Sequence, residues 1–512
     1  MIIENNYLTR IANRLADGGL NSPLLQKLSN IYIKHIMMKY FFILALCLVF
    51  LSACNPSKPG RDEQIDPEVK ANSKTFMDDL QVDADYRHAS EAAYEAWMDR
   101  RFGMRIHWGV YSQLGLDATW PTLHASDEFK EIYNTLWQVF NPVAFDAEEW
   151  AQLAEDAGMK YFVFTTKHHD GFSMFDTKTT VNVKMRKPVG KVPGIGNVID
   201  TTLHYSIMET LFRRDVVKEI TDAFRAKGMG IGFYYSNTDW NDINQRFEEN
   251  HMQYDPAYTL ESDPDGYQKA IERQTRQLRE LCTNYGKIDQ FGFDHGLPES
   301  LWPETVKMTK MVRSLQPDAL FRHRGLGPYG DYQTPEHWLP EGPDDPRLTK
   351  PWQAIEHYGT RWAWQPNDTY YGREWILESL IDCASKGGNF MVGVSPMPTG
   401  QFDQRTRDDL RWVGRWLKVN GEAIYSTRGM YVEDDNFKFT RSKDSKTVYA
   451  IHKGWETGKL RIHNIPGAAK LSLLGSDHVL EWRQTGNDLE VTIPGSVDPP
   501  SEFAFVIKIV TG

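Results

Sequence analysis

The stretch Gly286–Gly296, GKIDQFGFDHG, decides how the fold is interpreted. Its apolar residues Ile288, Phe291 and Phe293 have the spacing of a short, mostly buried strand, which ends at Asp294. A carboxylate at the end of an apolar strand is costly to bury. In a (β/α)8 barrel, however, the strand ends at the carboxyl face line the active site. Asp294 is therefore a candidate catalytic residue; the alternative is that it caps a following helix.

Strand-like and helix-like segments alternate on both sides of this stretch, which favours a parallel α/β fold. No GxGxxG phosphate loop accompanies them, so a (β/α)8-like TIM barrel fits better than a nucleotide-binding open sheet. The predicted barrel strands are 102–112, 159–166, 229–236, 288–294, 319–324 and 389–394. After residue 423 the pattern changes to short strands separated by turns, which is typical of a C-terminal β-sandwich. These strands are predicted at 437–440, 448–452, 459–462, 469–474, 489–493 and 504–509.

The amino terminus has the pattern of a secretory leader. The apolar block Lys39–Leu51 is short for a membrane span but suits the hydrophobic region of a signal peptide. The following Leu51-Ser52-Ala53-Cys54 resembles the lipobox of bacterial lipoproteins, which implies lipid attachment at Cys54 and a location at the bacterial cell envelope, in the periplasm or on the outer-membrane surface. An ordinary signal peptide is the alternative. Met37 or Met38 is a more sensible start than Met1 in this interpretation.

Four regions follow from these patterns. Residues 1–54 are an upstream extension plus lipoprotein signal, and residues 55–85 are a polar linker. Residues 86–422 are expected to form a catalytic (β/α) barrel, and residues 423–512 the β-sandwich domain.

Composition excludes some functions. The 58 basic and 69 acidic residues give a formal net charge of -11, which argues against a nucleic-acid-binding protein. Outside the leader, Cys282 and Cys383 have neither a disulfide framework nor zinc-ligand spacing. We therefore expect no metal and no cofactor, and membrane contact only through the lipid anchor. The oligomeric state stays open.

Polar side chains follow several predicted strands, at the ends that meet on one face of a barrel. Neutral His, Arg and Tyr groups around an aromatic floor suit a sugar pocket, because they bind hydroxyls by orientation. A metal held by both His168 and His169 is disfavoured, because adjacent side chains on a strand point to opposite faces. The predicted sugar-binding residues are His107, Trp108, Trp120, His168, His169, Tyr234, Tyr235, Arg324 and Trp362.

Several of these segments together resemble glycoside hydrolase family 29, the α-L-fucosidases. The most specific are HWGVYS at 107–112 and KHHDGF at 167–172, and the likeness runs from about Phe102 to Thr427. The resemblance implies a barrel with a C-terminal β-sandwich and retaining hydrolysis through a covalent glycosyl-enzyme. It implies that Asp294 is the nucleophile, that the His cluster with Tyr234 or Tyr235 holds the sugar, and that Arg324 lies near the acid/base loop.

Three features depart from the family pattern. An alignment without gaps places Gln353 at the acid/base Glu, and an amide cannot exchange a proton in this cycle. The candidate replacements, in order, are Glu356, Glu336 and Glu299. Thr119 stands where the family has a Glu before Trp120. The long segment Arg186–Phe212 is expected to be an inserted loop that covers or narrows the site.

Two functions remain after this comparison. The first is a retaining exo-glycosidase that hydrolyses α-L-fucosides, or closely related α-L-glycosides, of fucosylated glycans through Asp294. The second is a non-catalytic surface glycan-binding protein with the same barrel, which Gln353 favours. Hydrolysis of an aryl fucoside would separate the two functions, because a good leaving group barely needs acid assistance.

Overall fold

The structure is a computed structural model that describes residues 76–512, except 124, 190–191, 248–250, 349–350, 433 and 435. The predicted leader, the lipidation site at Cys54 and most of the linker lie outside the described residues. Within the described part of the chain, no helix has the length and hydropathy needed to cross a bilayer.

A curled sheet of parallel strands forms the centre of the first domain. Along the chain these strands are β1 Phe102–Ile106, β2 Tyr161–Lys167, β5 Gly230–Ser236, β6 Gln290–Asp294, β7 Leu320–Phe321, β8 Gln353–His357 and β9 Asn389–Val394. Their spatial order is β7-β6-β5-β2-β1-β9-β8. The strands are buried on both faces, as expected for a parallel sheet covered by helices.

Residues 332–336 lie between the two edge strands and close the sheet. Tyr332 bridges to Arg322 just after β7, Gln333 bridges to Trp352, and Glu336 bridges to Ile355 of β8, all in the parallel sense. This segment therefore takes the eighth position of a (β/α)8-like barrel. The fold class predicted from the sequence is confirmed by these features and by the C-terminal domain described below.

Helices surround the barrel, and side-chain caps fix several of their starts. Asp146 accepts from the backbone N–H groups of Glu148 and Glu149, and Asp403 accepts from that of Thr406. The helices are α1 Glu91–Arg100, α2 Asp127–Tyr133, α3 Ala147–Asp156, α4 Val216–Ala226, α5 Pro264–Asn284, α6 Trp302–Leu315, α7 Arg373–Ser385 and α8 Gln404–Asn420.

The segment 186–212 was predicted to be an inserted loop, but it contains the second strand of a β-hairpin. Strands β3 Val181–Arg186 and β4 Val198–Leu203 pair in antiparallel register, with Val181 opposite Leu203. The residues of β3 alternate between buried and more exposed positions, so one face of the hairpin packs on the barrel. Because it follows β2, this hairpin lies at the carboxyl end of the barrel.

Two antiparallel sheets form the C-terminal domain around their own apolar core. One has the order β10-β11-β12-β17-β14 and the other β13-β16-β15. Their strands are β10 Thr427–Gly429, β11 Phe437–Ser442, β12 Thr447–Lys453, β13 Gly458–Ile462, β14 Ala468–Leu473, β15 Glu481–Thr485, β16 Asp488–Ile493 and β17 Ala504–Thr511. The prediction missed β10 and the largely polar β15.

The barrel interior is recognisable from its side chains. Tyr161 and Val163 of β2, Tyr234 of β5, Ile355 of β8 and Met391 of β9 form one buried cluster, with Trp362 packed against it. Since side chains alternate along a strand, this cluster identifies which residues of β2, β5, β8 and β9 face inward.

Candidate active site

Asp294 ends β6 at the carboxyl rim of the barrel and is 7% exposed. The Tyr234 hydroxyl donates to its Oδ2 at 2.7 Å, and Arg324 Nη1 donates to its Oδ1 at 3.0 Å. The His295 backbone N–H also donates to Oδ1, at 3.1 Å. Asp294 does not cap a helix: its carboxylate accepts bonds from groups that converge on the barrel mouth.

The surrounding charges keep Asp294 ionised. Burial alone would raise the pKa of its carboxyl, but Arg324 and Arg322 outweigh burial and hold that pKa well below its usual value. A permanently ionised, oriented carboxylate is what a nucleophile at a sugar carbon requires.

His107 lies in the same cluster, with its ring 5.7 Å from that of His168, and keeps one hydrogen-bond donor that no described residue pairs. Arg105, which lies on β1 with its guanidinium 4.1 Å from the centre of the Tyr234 ring, donates to His107 Nε2 at 3.2 Å. Burial and Arg105 hold the pKa of His107 well below its usual value, so the ring is neutral. Since Nε2 accepts, the proton is on Nδ1, which is buried and has no partner among the described residues.

His169 presents the complementary acceptor. The Ser236 hydroxyl donates to the Thr238 carbonyl at 2.8 Å, so Ser236 Oγ accepts from His169 Nδ1, 2.7 Å away. Burial and His168 hold the pKa of His169 well below its usual value. Its Nε2 is therefore an acceptor, lies 3.9 Å from Asp294 Oδ2 and has no hydrogen-bond partner among the described residues. Within the described part of the chain, the unpaired donor on His107 and the unpaired acceptor on His169 are the kinds of group that bind the hydroxyls of a sugar.

His168 joins the same cluster, although the sequence argument placed neighbouring His residues on opposite faces. The strand β2 ends at Lys167, and its register with β5 shifts between Thr165 and Lys167. His168 and His169 therefore follow loop geometry, with ring centres 4.2 Å apart. The Thr119 hydroxyl lies 2.6 Å from His168 Nδ1, so the residue that departs from the family pattern positions this imidazole.

Two half-buried tryptophans form opposite walls of the site. The ring of Trp120 lies 5.2 Å from that of His169 and 6.1 Å from that of His295. The ring of Trp362 lies 4.9 Å from that of His107 and 5.1 Å from that of His337.

Glu336, on the segment that closes the barrel, is the carboxylate that shares Arg324 with Asp294. Arg324 Nη2 lies 2.8 Å from Glu336 Oε2, and Arg322 Nη2 donates to the same oxygen at 2.7 Å. Burial would raise the pKa of Glu336, but Arg324 and Arg322 lower it to about 2. Glu336 Oε1 lies 4.0 Å from His337 Nε2, on the side of Trp362.

The other carboxylate candidates are placed differently. Glu356 lies on β8 between Ile355, which faces the barrel interior, and His357, whose ring lies 5.3 Å from that of Trp362. Alternation along the strand directs Glu356 away from the interior, toward the helical layer. Glu299 is exposed at the start of a short 3-10 turn.

Gln353 does not occupy the mouth of the barrel. It is the fully buried first residue of β8, and its amide lies 3.6 Å from Met391 Sδ. It therefore faces inward at the amino end of the strand, whereas the polar groups of the site gather at the carboxyl ends. The residue that an alignment without gaps places at the acid/base Glu of the family therefore lies outside the pocket.

Two predicted sugar-binding residues lie outside the cluster. Trp108 is fully buried against Phe145 and Trp150, and its indole N–H donates to the Met397 carbonyl. Tyr235 faces outward, where its hydroxyl donates to Gln277 Oε1 at 2.8 Å. Alternation explains the second case, because Tyr234, its neighbour on β5, takes the inward position.

The predicted site residues left out five groups that support the site: Arg105, Ser236, His295, Arg322 and His337. Ser236 and Arg322 lie at the ends of predicted strands, so their positions in the sequence could have identified them, whereas Arg105 has only its inward position on β1 to indicate a role.

His169, Asp294 and His295 also form the one group among the described residues whose donor atoms could surround a metal. Asp294 already accepts from Tyr234 and Arg324, and the adjacent guanidinium repels a cation. The arrangement therefore fits a hydroxylated ligand better than a metal ion.

Comparisons with known proteins agree with this geometry. The profile of the family described as alpha-L-fucosidase matches residues 70–422, more than half of the chain, and that of the alpha-L-fucosidase C-terminal domain matches residues 433–510. Plasma α-L-fucosidase of Homo sapiens is 26% identical over 433 residues, covering 76% of this chain and 83% of that protein.

Solved structures share the fold. Alpha-L-fucosidase isoenzyme 1 from Paenibacillus thiaminolyticus is 27% identical, with a TM-score of 0.69 over 82% of this chain and 99% of that chain. A family 29 α-L-fucosidase from Bacteroides thetaiotaomicron is 22% identical and has the same fold, with a TM-score of 0.69 over 84% of this chain and 97% of that one. The chain therefore belongs to the α-L-fucosidase family, glycoside hydrolase family 29.

Proposed function

We propose that this protein is a retaining exo-glycosidase that releases α-L-fucose from glycans through a covalent bond to Asp294. The observation that carries the proposal is the ionised Asp294 carboxylate, held by Tyr234 and Arg324 among neutral imidazoles. Attack by an Asp294 oxygen on the anomeric carbon breaks the bond to the leaving oxygen and forms a glycosyl ester of inverted configuration. Water then attacks the ester and restores the original configuration.

Glu336 is the residue that we assign as the acid/base. It would give its proton to the leaving oxygen in the first step and take one from water in the second. Its contact with Arg324 links its charge to that of the nucleophile, because the same guanidinium also binds Asp294. When Asp294 is an ester, Arg324 has only Glu336 left to neutralise, which suits the carboxylate form that must activate water.

The first step has a further requirement. Glu336 must carry a proton there, although in the free enzyme Arg324 and Arg322 hold its pKa at about 2. We therefore infer that bound substrate displaces Arg324 from Glu336 Oε2 toward Asp294 Oδ1. Loss of one arginine contact and exclusion of water both raise a carboxyl pKa.

The alternative function, non-catalytic glycan binding, depended on Gln353 as a lost acid. Gln353 faces the barrel interior at the amino end of β8, so this argument no longer favours non-catalytic glycan binding. We retain the hydrolase proposal alone.

A cellular location accompanies the proposal on sequence grounds. We infer that Cys54 carries a lipid that holds the enzyme at the bacterial cell envelope, facing extracytoplasmic glycans. Metabolic labelling with a tagged fatty acid tests this: wild type should be labelled and recovered with membranes. A Cys54→Ser variant that is labelled equally would exclude it.

Azide rescue of Asp294→Gly tests the catalytic proposal. With 4-nitrophenyl α-L-fucoside, the variant should lose about 10⁴-fold in kcat, as expected for loss of a nucleophile. Azide should restore turnover by entering the space of the carboxylate, and the product should be β-L-fucosyl azide. Glu299→Gly, an exposed carboxylate after the same strand, is the matched control and should behave as wild type. An unrescued Asp294→Gly variant with wild-type activity would refute the proposal.

A further inference from the structure

His295 follows the nucleophile directly and has an unusual backbone conformation. Its φ angle is +57°, in the left-handed region that glycine adopts without steric cost and that few other residues adopt. The chain therefore keeps a large side chain at a position where glycine would be the least costly choice. Such a conformation beside an active site indicates that the side chain has a function.

Contacts on both sides of the His295 side chain fix its backbone. Its N–H donates to Asp294 Oδ1 at 3.1 Å, and its carbonyl accepts from the Asn237 amide at 2.8 Å. Gly325 packs so closely against that carbonyl that a Cβ on Gly325 would lie 2.3 Å from the His295 oxygen. The direction in which the imidazole leaves the backbone is therefore set by the fold.

The imidazole of His295 belongs to the wall of the site that contains Trp120 and His169. Its ring centre is 4.6 Å from that of His169 and 6.1 Å from that of Trp120. His169 is fully buried and Asp294 is nearly so, whereas His295 is half-buried and forms the outer edge of this group. Neither ring nitrogen of His295 has a hydrogen-bond partner among the residues that the structure describes.

The spacing of His169, Asp294 and His295 suits a single oxygen atom. One donor or acceptor atom of each residue lies within 4.8 Å of those of the other two. Within this group, His169 Nε2 and Asp294 Oδ2 are 3.9 Å apart. Three atoms at such spacings can all reach one oxygen placed between them at ordinary hydrogen-bond distance. The group therefore has the size to hold one hydroxyl of a substrate.

The three residues also supply the kinds of hydrogen bond that a hydroxyl makes. His169 Nε2 and the ionised Asp294 carboxylate are both acceptors, so either can take the hydroxyl proton. Neither of them can donate to the hydroxyl oxygen. An imidazole carries at least one N–H, and in His295 either ring nitrogen is available for it. His295 therefore provides the donor that the other two residues lack.

The chemistry of the reaction identifies the hydroxyl. Asp294 is proposed to bond to the anomeric carbon, whose two neighbours in the sugar ring are the ring oxygen and C2. Only C2 carries a hydroxyl, so a hydroxyl held against the nucleophile is the one on C2. Hydrogen bonds to this hydroxyl strengthen in the transition state of glycoside hydrolysis.

We propose that His295 is a further substrate-binding residue, whose ring N–H donates to the 2-hydroxyl of the fucosyl group while His169 or Asp294 accepts from that hydroxyl. The inference rests on the proposed hydrolase function and adds a determinant of specificity to it. His295 selects sugars that carry a hydroxyl at C2. Because the bond strengthens as the reaction proceeds, His295 contributes more to kcat than to KM.

The test compares 4-nitrophenyl α-L-fucoside with its 2-deoxy analogue in wild type and two variants of His295. His295→Gly removes the ring and suits the left-handed backbone, so the midpoint of thermal unfolding should not fall. It should nevertheless lower kcat/KM for the fucoside about 30-fold, mainly through kcat, and that for the 2-deoxy substrate less than about threefold. His295→Phe keeps a ring beside Trp120 but has no N–H, so the same split between substrates is expected.

Ser445→Gly is the matched control. Ser445 also has a left-handed backbone, with a φ of 59°, but it lies in the turn between β11 and β12 of the C-terminal domain. This variant should cleave both substrates at wild-type rates. Equal losses on both substrates in His295→Gly, or its full activity on the fucoside, would overturn the role of His295.

Inhibition decides the question if the 2-deoxy substrate is cleaved too slowly to measure. His295→Gly should raise the inhibition constant of L-fucose about fivefold and that of 2-deoxy-L-fucose less than about twofold, because only the first sugar has the hydroxyl that His295 binds. An equal change for both sugars would overturn the role of His295 and leave the hydrolase proposal intact. Wild type that cleaves neither substrate would refute the hydrolase function itself.

Discussion

At the scale of single residues, Arg324 organises the site. It is the cation that contacts both Asp294 and Glu336, and it is charged under all conditions in which the protein is folded. Because one guanidinium pairs with both carboxylates, Asp294 and Glu336 can lie close together while both stay ionised. Among the three candidate carboxylates, we propose Glu336 as the acid/base because it lies on the closing segment and contacts Arg324.

The first prediction concerns the acid. Glu336→Gln should lower kcat/KM for a natural fucosylated glycan by about 10³-fold but that for an α-L-fucosyl fluoride by less than about tenfold, because fluoride leaves without protonation. Steady-state kinetics on the two substrates measure the contrast.

Glu356→Gln is the matched control for this experiment. Because alternation along β8 directs Glu356 away from the interior, we expect both substrates to be cleaved at near wild-type rates. The reverse result, a leaving-group-dependent loss in Glu356→Gln alone, would transfer the acid/base role to Glu356.

The second prediction concerns pH. Arg324 and Arg322 depress the pKa of Asp294 against the opposing effect of burial. Arg324→Gln removes the first of these cations, so the Asp294 pKa should rise and the acid limb of kcat/KM, which reports the free enzyme, should move to higher pH. The measurement is a pH profile of aryl fucoside hydrolysis.

Arg347→Gln is the comparison for the pH profile. Arg347 pairs with Asp345 and Glu341 at the surface, so its loss should leave the acid limb in place. An unchanged limb in Arg324→Gln as well would mean that Arg324 does not set the charge of the nucleophile.

The residue types of the site were predictable, but the faces of the strands on which their side chains lie were not. The sequence placed Asp294, His107 and Arg324 at strand ends, where the structure has them. The sequence could not show which of Tyr234 and Tyr235 faces the barrel interior. A parallel strand that is buried on both faces does not alternate between apolar and polar residues, so its inward face has no sequence signal. The sequence pattern also assigned His168 and His169 to opposite faces, since the register shift near Lys167 has no sequence signature.

At the scale of elements, the barrel closes through its least regular part. The strand β7 has only two residues, and the segment 332–336 is held by isolated bridges. The closing segment has no periodic pattern, and neither it nor β8 was predicted, whereas β7 lies within the predicted strand 319–324. With β8 missing from the prediction, the alignment without gaps placed its first residue, Gln353, at the acid/base position.

The third prediction follows from the position of Gln353. If it were a lost acid, Gln353→Glu would restore or raise activity. In the structure the new carboxyl would lie fully buried beside Met391. We therefore expect no gain in kcat and a loss of about 2 kcal/mol or more in the free energy of unfolding, measured by urea denaturation. A more active and equally stable variant would contradict this placement.

The hairpin β3–β4 shows a signal that was available but not used. The sequence VNVKMR at 181–186 alternates apolar and polar residues, and the structure buries Val181, Val183 and Met185. Alternation of this kind predicts a half-buried strand. No element was predicted at 181–185, and the predicted inserted loop began only at Arg186.

At the scale of the whole molecule, the barrel and the sandwich share contacts through α8. The indole N–H of Trp416 donates to the Ala504 carbonyl of β17 at 2.8 Å, and the Thr440 hydroxyl donates to the Ala423 carbonyl at 2.6 Å. Both tryptophan and carbonyl are buried. The C-terminal domain therefore stabilises the last helix of the barrel.

The fourth prediction is a loss of stability without loss of chemistry. Trp416→Ala should lower the free energy of unfolding by about 3–5 kcal/mol, the usual effect of removing a buried tryptophan. The folded variant should retain kcat on an aryl fucoside at low temperature. Trp482→Ala, at a partly buried site on the smaller sheet, should cost less. A Trp416→Ala variant as stable as wild type would show that the two domains are not coupled through α8.

Both domains of the described chain were predictable, because long periodic helices and buried strands carry strong signals. The closure of the barrel and the shared contact of Arg324 with Asp294 and Glu336 were not, because they depend on contacts between residues far apart along the chain.

Covalent trapping tests the central claim most directly. Wild type treated with 2-deoxy-2-fluoro-α-L-fucosyl fluoride should accumulate a glycosyl ester, because the electron-withdrawing fluorine slows the second step more than the activated first step. Peptide mapping by mass spectrometry should place one fluorofucosyl group on Asp294, and Asp294→Asn should not be labelled. A label on any other residue, or an active enzyme that inverts the anomeric configuration of its product, would contradict the account.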